Sequence, residues 1–478
     1  MSELEAAKRL DETQRASRSS GSIPRPVTTH SSAVAGQAPG DGVPTRTLSV
    51  WDATMITVGI VIGAGIFQTP TLVAGIAGSP GWMIAAWVLG GALSFVGALN
   101  YAELATAYPS AGGDYSFLTR AYGRNVSFLF AWARSLVIVT GSIALLGFIL
   151  GDYLTRLYSL GPHSSAIYAA LAVVMLTAIN LGGLRGSSRM QNVLTVLEIG
   201  GVLLVAGAGM MLQNPEPVAA EATSGTGPGA FGLAMVFVLL TFGGWNEAAY
   251  VSAEVKGGAR SVLRSLLLSI AIITLVYLLF VVGVLHGLGF EALKNTEALG
   301  VEVVQRAFGQ TGAQILGMLV AVAALTSMNS TMLVGARTNY SVARDWPVFA
   351  FMANWQSERS TPSAGFIVQA FIALALIFFG ALEKDGFSTM VEFTAPVFWF
   401  FFMLSGAALI VLRYKDADAP RPFRVPLYPI LPIIFVLTCA YLFYSSIMYA
   451  QSQNAGWVAL AVMLSGGVVW AAMKVKRA

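Results

Sequence analysis

The sequence predicts an all-α integral membrane protein of twelve transmembrane helices, organised around two Gly-interrupted spans. Three observations carry this expectation. The 478-residue chain is 56% hydrophobic and only 11% charged, and its apolar residues fall into separate runs of about twenty, the length that crosses a hydrocarbon core. Its Lys and Arg residues concentrate in alternate connections, the asymmetry that orients membrane proteins. Two runs, Val58 to Pro70 and Ala234 to Glu254, are broken near their middles by glycine. Non-helical backbone survives at bilayer depth only where protein buries it or it lines a cavity.

Residues 1–46 are rich in Ser, Thr, Gly, Pro and Ala with scattered charges, a composition too poor in apolar surface to fold alone. They are expected to form a disordered cytoplasmic tail. The tail has no apolar run of the kind a cleaved signal peptide needs, so the first span should serve as the insertion signal.

The twelve expected spans cover residues 51–76, 80–108, 124–154, 164–182, 189–212, 229–254, 261–286, 311–341, 362–381, 387–412, 425–447 and 454–473. The charges test this count, because a wrong number of spans would scramble the sidedness of the loops. With the N-terminus inside, the cytoplasmic side receives Arg120, Arg124, Lys256, Arg260, Arg264, Arg344, Arg413, Lys415 and Arg421 among others, and the outside only Arg156, Lys294, Arg306 and Lys384. Both termini are thus expected in the cytoplasm. The longest outer connections, Gln213 to Gly229 and Gly287 to Gln310, are expected as loops over a vestibule.

Each glycine break falls in the first helix of a block of five, and the two blocks start from opposite faces of the membrane. Paired interruptions at corresponding positions of two inverted halves are the sequence pointer to a transporter binding site. Residues 47–413 then form a ten-helix core, and 414–478 two peripheral helices with a short cytoplasmic end. The unwound Gly63, Ala64 and Gly65 would free amide N–H groups and add the positive end of the following half-helix, which together attract a carboxylate. Carbonyls of Gly59, Ile60 and Ile62, with those near Thr241, Phe242 and Gly243, would accept from an ammonium. An anion pocket beside a carbonyl cluster matches an α-amino acid zwitterion. For one break alone, close helix packing through small residues is an equal explanation; the second break, at Gly243 and Gly244, favours a ligand.

Composition excludes other classes. The lone Cys439 lies in an apolar run, so neither an intrachain disulfide nor a cysteine metal cluster is expected. His30, His163 and His286 lack metal-ligand spacing. No metal, organic cofactor or nucleic-acid partner is expected; the partners are the lipid bilayer and a small solute, and the oligomeric state is not legible. No catalytic constellation stands out.

Four stretches in order, IGAGIF, YAELATAYPSAGGDYSFLTRAYG, GGWNEAAYVSAE and TSMNSTMLVGAR, resemble the amino acid-polyamine-organocation superfamily, nearest its amino acid permease and L-type exchanger branches. The likeness runs from about Leu48 to Arg413 and more loosely through the last two spans. It implies a leucine-transporter-type fold of five plus five inverted repeats with broken helices one and six. It also implies carboxylate binding at Gly63, Ala64 and Gly65, and amine binding at the carbonyls around Phe242 and Gly243. Trp245 matches an aromatic that, in the exchanger branch, shapes or gates the side-chain pocket. Asn246 is polar near the bilayer centre and needs a partner, either substrate or a neighbouring helix.

Glu198 departs from the family, many of whose members resembling this chain carry Lys there, an ammonium in the place of a coupling sodium ion. An ionisable group inside a span is a functional candidate by default. Glu198 could carry a proton, favoured here over sodium, or help hold a cation with carbonyls of Gly59 and Ile62 and the hydroxyls of Ser327 and Ser330. Glu247 either lines a solvated inner vestibule or favours a cationic substrate. Arg134 could snorkel to the cytoplasmic interface and is given no role. The sequence thus points to an amino acid permease working by alternating access, proton-coupled or exchanging. The alternatives are a non-transporting amino acid sensor and a polyamine or cationic amino acid antiporter on the same fold.

Overall fold

The computed structural model describes residues 48–110, 112–182, 188–212, 228–252, 255–296, 298–353, 362–383, 385–450 and 455–475. The expected tail, the 213–227 connection and Glu254 lie outside the described residues. The described residues belong to one compact unit.

The chain enters at Ser49, whose hydroxyl accepts the Asp52 amide at 3.1 Å while the Asp52 carboxylate accepts the Ser49 amide at 3.0 Å. This reciprocal cap satisfies amides that a helix start would otherwise leave bare and fixes where α1 (Val50–Val61) begins. A 3₁₀ turn over Ala64–Phe67 follows, then α2 (Thr69–Ala77) with Pro70 in its first turn. Next come α3 (Pro80–Ala107), a short α4 (Asp114–Tyr122) and the long α5 (Arg124–Leu157), which widens into one π turn at Arg134–Ile138. The first half closes with α6 (Ser164–Leu181) and α7 (Ser188–Met211).

The sixth apolar segment breaks like the first: α8 (Pro228–Thr241), a 3₁₀ turn at Trp245–Glu247, and α9 (Ala248–Val251). Then α10 (Ala259–Leu288), the small α11 (Phe290–Asn295) and α12 (Leu299–Asp345) follow. The last elements are α13 (Ser363–Ala381), α14 (Gly386–Lys415), α15 (Ile430–Ala450) and α16 (Ala455–Val475).

Nine of these helices are long and apolar enough to cross a membrane, and no strand occurs among the described residues beyond the isolated bridge of Leu48 with Val255. The protein is therefore an all-helical, multi-pass membrane protein. Val50–Val61 and Ala230–Thr241 are apolar but short, because each is half of a broken span. Two expectations are corrected. The stretch from Gly287 to Gln310 is not a plain loop, since α11 and the first turns of α12 fill it, with a kink at Gly309 where φ is 74°. The eleventh apolar segment starts at Ile430 rather than 425, because Pro426 and Pro429 cannot continue a helix interior.

Helices cross closely where side chains are smallest. A Cβ on Gly287 would sit 2.7 Å from the Gly209 carbonyl oxygen, so α7 and α10 touch backbone to backbone, the membrane packing mode that small residues permit. At one end of the bundle Glu103, buried in α3, accepts Arg413 Nε at 2.8 Å and Nη2 at 2.5 Å, and also the Val425 amide at 2.6 Å. Because removing one partner of a buried pair strands the other charge, Glu103→Gln is expected to cost about 3–5 kcal/mol, read as a lower Tm of the purified protein.

Candidate functional site

The two breaks meet. At the first, Ile62 leaves the helix with ψ 68° and Gly63 is extended, so the amides of Ala64 and Gly65 start a new turn with no acceptor one turn back. At the second, Gly244 holds φ 108°, a left-handed conformation that favours glycine. A Cβ there would press on Ile60 Cγ2 at 2.9 Å and approach the Ile60 carbonyl at 3.6 Å. The Thr69 and Thr241 hydroxyls lie 2.7 Å apart across the same junction.

Tyr277 on α10 ties the breaks together. Its hydroxyl donates to the Val61 carbonyl at 2.7 Å and lies 3.1 Å from the Thr241 carbonyl. Its ring packs edge-on against Phe242 and Trp87, with centroids 5.1 and 5.7 Å away. Tyr277→Phe is expected to leave the fold intact and weaken substrate binding about tenfold, since a lost buried hydrogen bond costs roughly 1–3 kcal/mol. Direct binding of a labelled substrate checks this.

Beside the junction lies a cavity of about 190 Å³, more than ten times the ~15 Å³ of such volume that one water needs, and so a space for a small solute. Ile60, Gly63, Gly65, Gly243, Gly244 and Asn246 of the expected substrate site line it, and so do Glu247 and Ser330, which the sequence offered as coupling candidates. The rest of the wall is largely apolar and comes from α5, α8, α12 and α14, with Ile138, Leu145, Phe237, Val334, Phe387 and Phe398 contributing.

Other expected residues sit elsewhere. Ala64, Ile62 and Gly59 are buried in packing around the first break. Phe242 is walled in by Trp87 and Tyr277, and the Thr241 carbonyl, expected as a free acceptor, is shared with Tyr277. The Trp245 ring does not line the cavity: it turns into a cluster with Tyr101, Phe402 and Phe435, at centroid distances of 5.2, 5.4 and 6.4 Å. The 3₁₀ turn aims consecutive side chains about 120° apart, which sends Trp245 away while Asn246 and Glu247 face the cavity.

Arg134 corrects the sequence reading most. It does not snorkel to an interface: it is 3% exposed and lines the cavity. Its Nη2 lies 3.0 and 2.9 Å from the two Glu247 carboxylate oxygens, and its guanidinium covers the Tyr250 ring at 4.6 Å. The available signal was that charges inside spans pair with one another, and Arg134 and Glu247 are of opposite sign. Tyr277 carried no such signal, being one aromatic in an apolar helix.

Beyond this pair, buried Asp114 accepts Tyr101 at 2.5 Å and Tyr250 at 3.2 Å. Nearby Tyr115 donates to Asp345 at 2.9 Å and accepts the Trp346 indole at 3.0 Å. Burial and that carboxylate push the Tyr115 phenol up to about 12, so it stays a donor near neutral pH. These bonds join α3, α4, α9 and α12 on one side of the cavity.

Glu198 on α7 is 4% exposed and stands outside the cavity lining. Among the described residues neither of its carboxylate oxygens has a hydrogen-bond partner, and the same holds for the Ser327 hydroxyl. Ser327 lies against the first break, where a Cβ on Gly63 would meet its Oγ at 2.7 Å. The hydroxyls of Ser327 and Ser330 therefore make no bond to Glu198. No group of three or more metal-ligating side chains occurs among the described residues.

Two broken membrane helices meeting at an internal cavity, within an all-helical multi-pass bundle, define a protein of the solute-carrier type. The sequence profile of the amino acid permease family matches residues 48–471, and the chain belongs to that family, within the amino acid-polyamine-organocation superfamily. Its members are transporters rather than enzymes. The chain is 26% identical to the human cystine/glutamate transporter over 88% of this chain and 84% of that protein. It is 27% identical to the mouse b(0,+)-type amino acid transporter 1, covering 82% and 81% of the two chains. Likewise it is 27% identical to the human large neutral amino acids transporter small subunit 2, covering 91% and 83%.

Proposed function

We propose that this protein is a secondary permease that moves amino acids across the plasma membrane by alternating access. The observation that carries the reading is the meeting of the two breaks at one small internal cavity. Free amides at Ala64 and Gly65 suit a carboxylate, and backbone carbonyls beside Ile60 and Gly243 suit an ammonium. The relatives, named as amino acid transporters, support the same substrate class.

In this reading the helices form twelve spans, counting each broken pair once, and the first ten form five plus five inverted repeats. The bonds of Glu103, Asp114 and Tyr115 then close the cytoplasmic side, and α15 and α16 are peripheral. Glu198 carries a coupling proton, since an uncompensated carboxylate in that apolar setting is costly. Ser327, Ser330 and the Gly59 carbonyl belong to the same coupling region beside the first break.

The test is reconstitution into liposomes with a panel of labelled amino acids, with and without a pH gradient. Uptake of at least one is expected, faster with acid outside. Binding without uptake would identify a sensor, and neither binding nor uptake would sink the proposal.

A further inference from the structure

We propose that Glu247 sets the charge selectivity of the cavity by masking Arg134, so that the pair admits side chains carrying no net charge and turns away both anions and cations. This rests on the reading of the cavity as an amino acid site.

Among the described residues lining the cavity, Arg134 and Glu247 are the ones with formal charge. Both arrive there through local departures from α geometry, Arg134 at the start of the π turn and Glu247 at the end of the 3₁₀ turn. One guanidinium nitrogen holds both carboxylate oxygens at 3.0 and 2.9 Å, so the opposite charges lie in contact and their fields cancel over a short distance. The Arg134 side chain is 4% exposed and that of Glu247 17%: the acid is the more accessible member of the pair. Arg134 Nε has no acceptor among the described residues, so the guanidinium retains donor capacity that Glu247 does not use.

An anionic side chain entering this space meets the Glu247 carboxylate first. A cationic one finds that carboxylate already engaged. Either could gain a counter-charge only by breaking the buried pair, which would strand the other member. An uncharged side chain pays no such penalty and packs on the apolar wall of Ile138, Leu145, Val334 and Phe387. A cationic substrate, one of the roles open to Glu247 from sequence alone, is thereby disfavoured.

The test uses the full-length protein in liposomes. Labelled leucine, phenylalanine and alanine are the transported probes, and unlabelled glutamate and lysine the competitors. The wild type is expected to take up a neutral probe while glutamate and lysine compete at least a hundredfold more weakly. Glu247→Gln keeps the shape and unmasks the guanidinium, so glutamate should gain at least tenfold in competition relative to the neutral probe, with no gain for lysine. Arg134→Gln should do the reverse, and the double variant should favour neither.

A merely structural pair would lower all uptake together and leave these ratios unmoved, so an unmoved ratio in either active single variant overturns the proposal. Should neither single variant reach the membrane, the wild type decides alone: glutamate or lysine competing as well as the neutral probe overturns it. Failure of the wild type to bind or take up any amino acid removes the underlying reading, whereas neutral uptake with unmoved ratios removes only this inference.

Discussion

Gly63→Val is expected to abolish substrate binding, by at least about a hundredfold, in a protein that still inserts and purifies intact. The magnitude follows from geometry. Even a Cβ at this position would lie 2.7 Å from Ser327 Oγ and 3.4 Å from Ser327 Cβ, and valine adds two methyl groups beyond it. Rotating the unbonded Ser327 hydroxyl aside still leaves its Cβ at 3.4 Å, inside the reach of the added methyl groups, so the break itself must move. The amides of Ala64 and Gly65 move with it, and losing both hydrogen bonds to a charged group, at about 1.5–3 kcal/mol each, matches a hundredfold or more. Gly243→Val should act alike from the other helix, because its Cβ would press on the Leu240 carbonyl oxygen at 2.8 Å. Gly75→Val is the control: this glycine in α2 has open space around it, and the variant should bind as the wild type does. Equilibrium binding of labelled amino acid to the purified proteins measures all three, and unaltered affinity in Gly63→Val would refute the site.

Glu198→Gln is expected to flatten the pH dependence of uptake. If the Glu198 carboxyl carries the coupling proton inward with substrate, uptake by the wild type rises as the outside is made more acidic. The glutamine is nearly isosteric and cannot exchange a proton, so its uptake should not respond. The packing of α7 on α1, α10 and α12 should survive the change, because Glu198 makes no hydrogen bond that glutamine would lose. Uptake at several outside pH values with constant inside pH is the measurement. An unchanged profile returns Glu198 to a structural role.

Much of the fold was legible because the bilayer makes sequence rules strict. Span positions follow from apolar length, and the expected segments match α3, α5, α6, α7, α10, α13 and α14 within a few residues. The breaks were legible because glycine at mid-span is conspicuous against Leu, Ile and Val. Proline placement near 426–432 sets the start of α15 later than apolar length alone would put it.

The site was legible in its backbone and not in its side chains. Gly63, Gly65, Gly243 and Gly244 stand where a backbone argument puts them, since small residues and unwound amides are local properties. The direction of Trp245 depended on the 120° step of a 3₁₀ turn, and an aromatic resemblance cannot convey that. Arg134 lies 113 positions from Glu247 in sequence, and no period within either helix says that the two meet. By itself the sequence determined where the long apolar runs lie, where two of them break, and which backbone groups those breaks free. Tertiary structure alone decided which side chains converge there: Tyr277 on two carbonyls, Arg134 on Glu247, and Glu198 outside the cavity lining. The physical reason is that helix breaks arise from residues adjacent in the chain, whereas charge pairing arises from helices that only packing brings together.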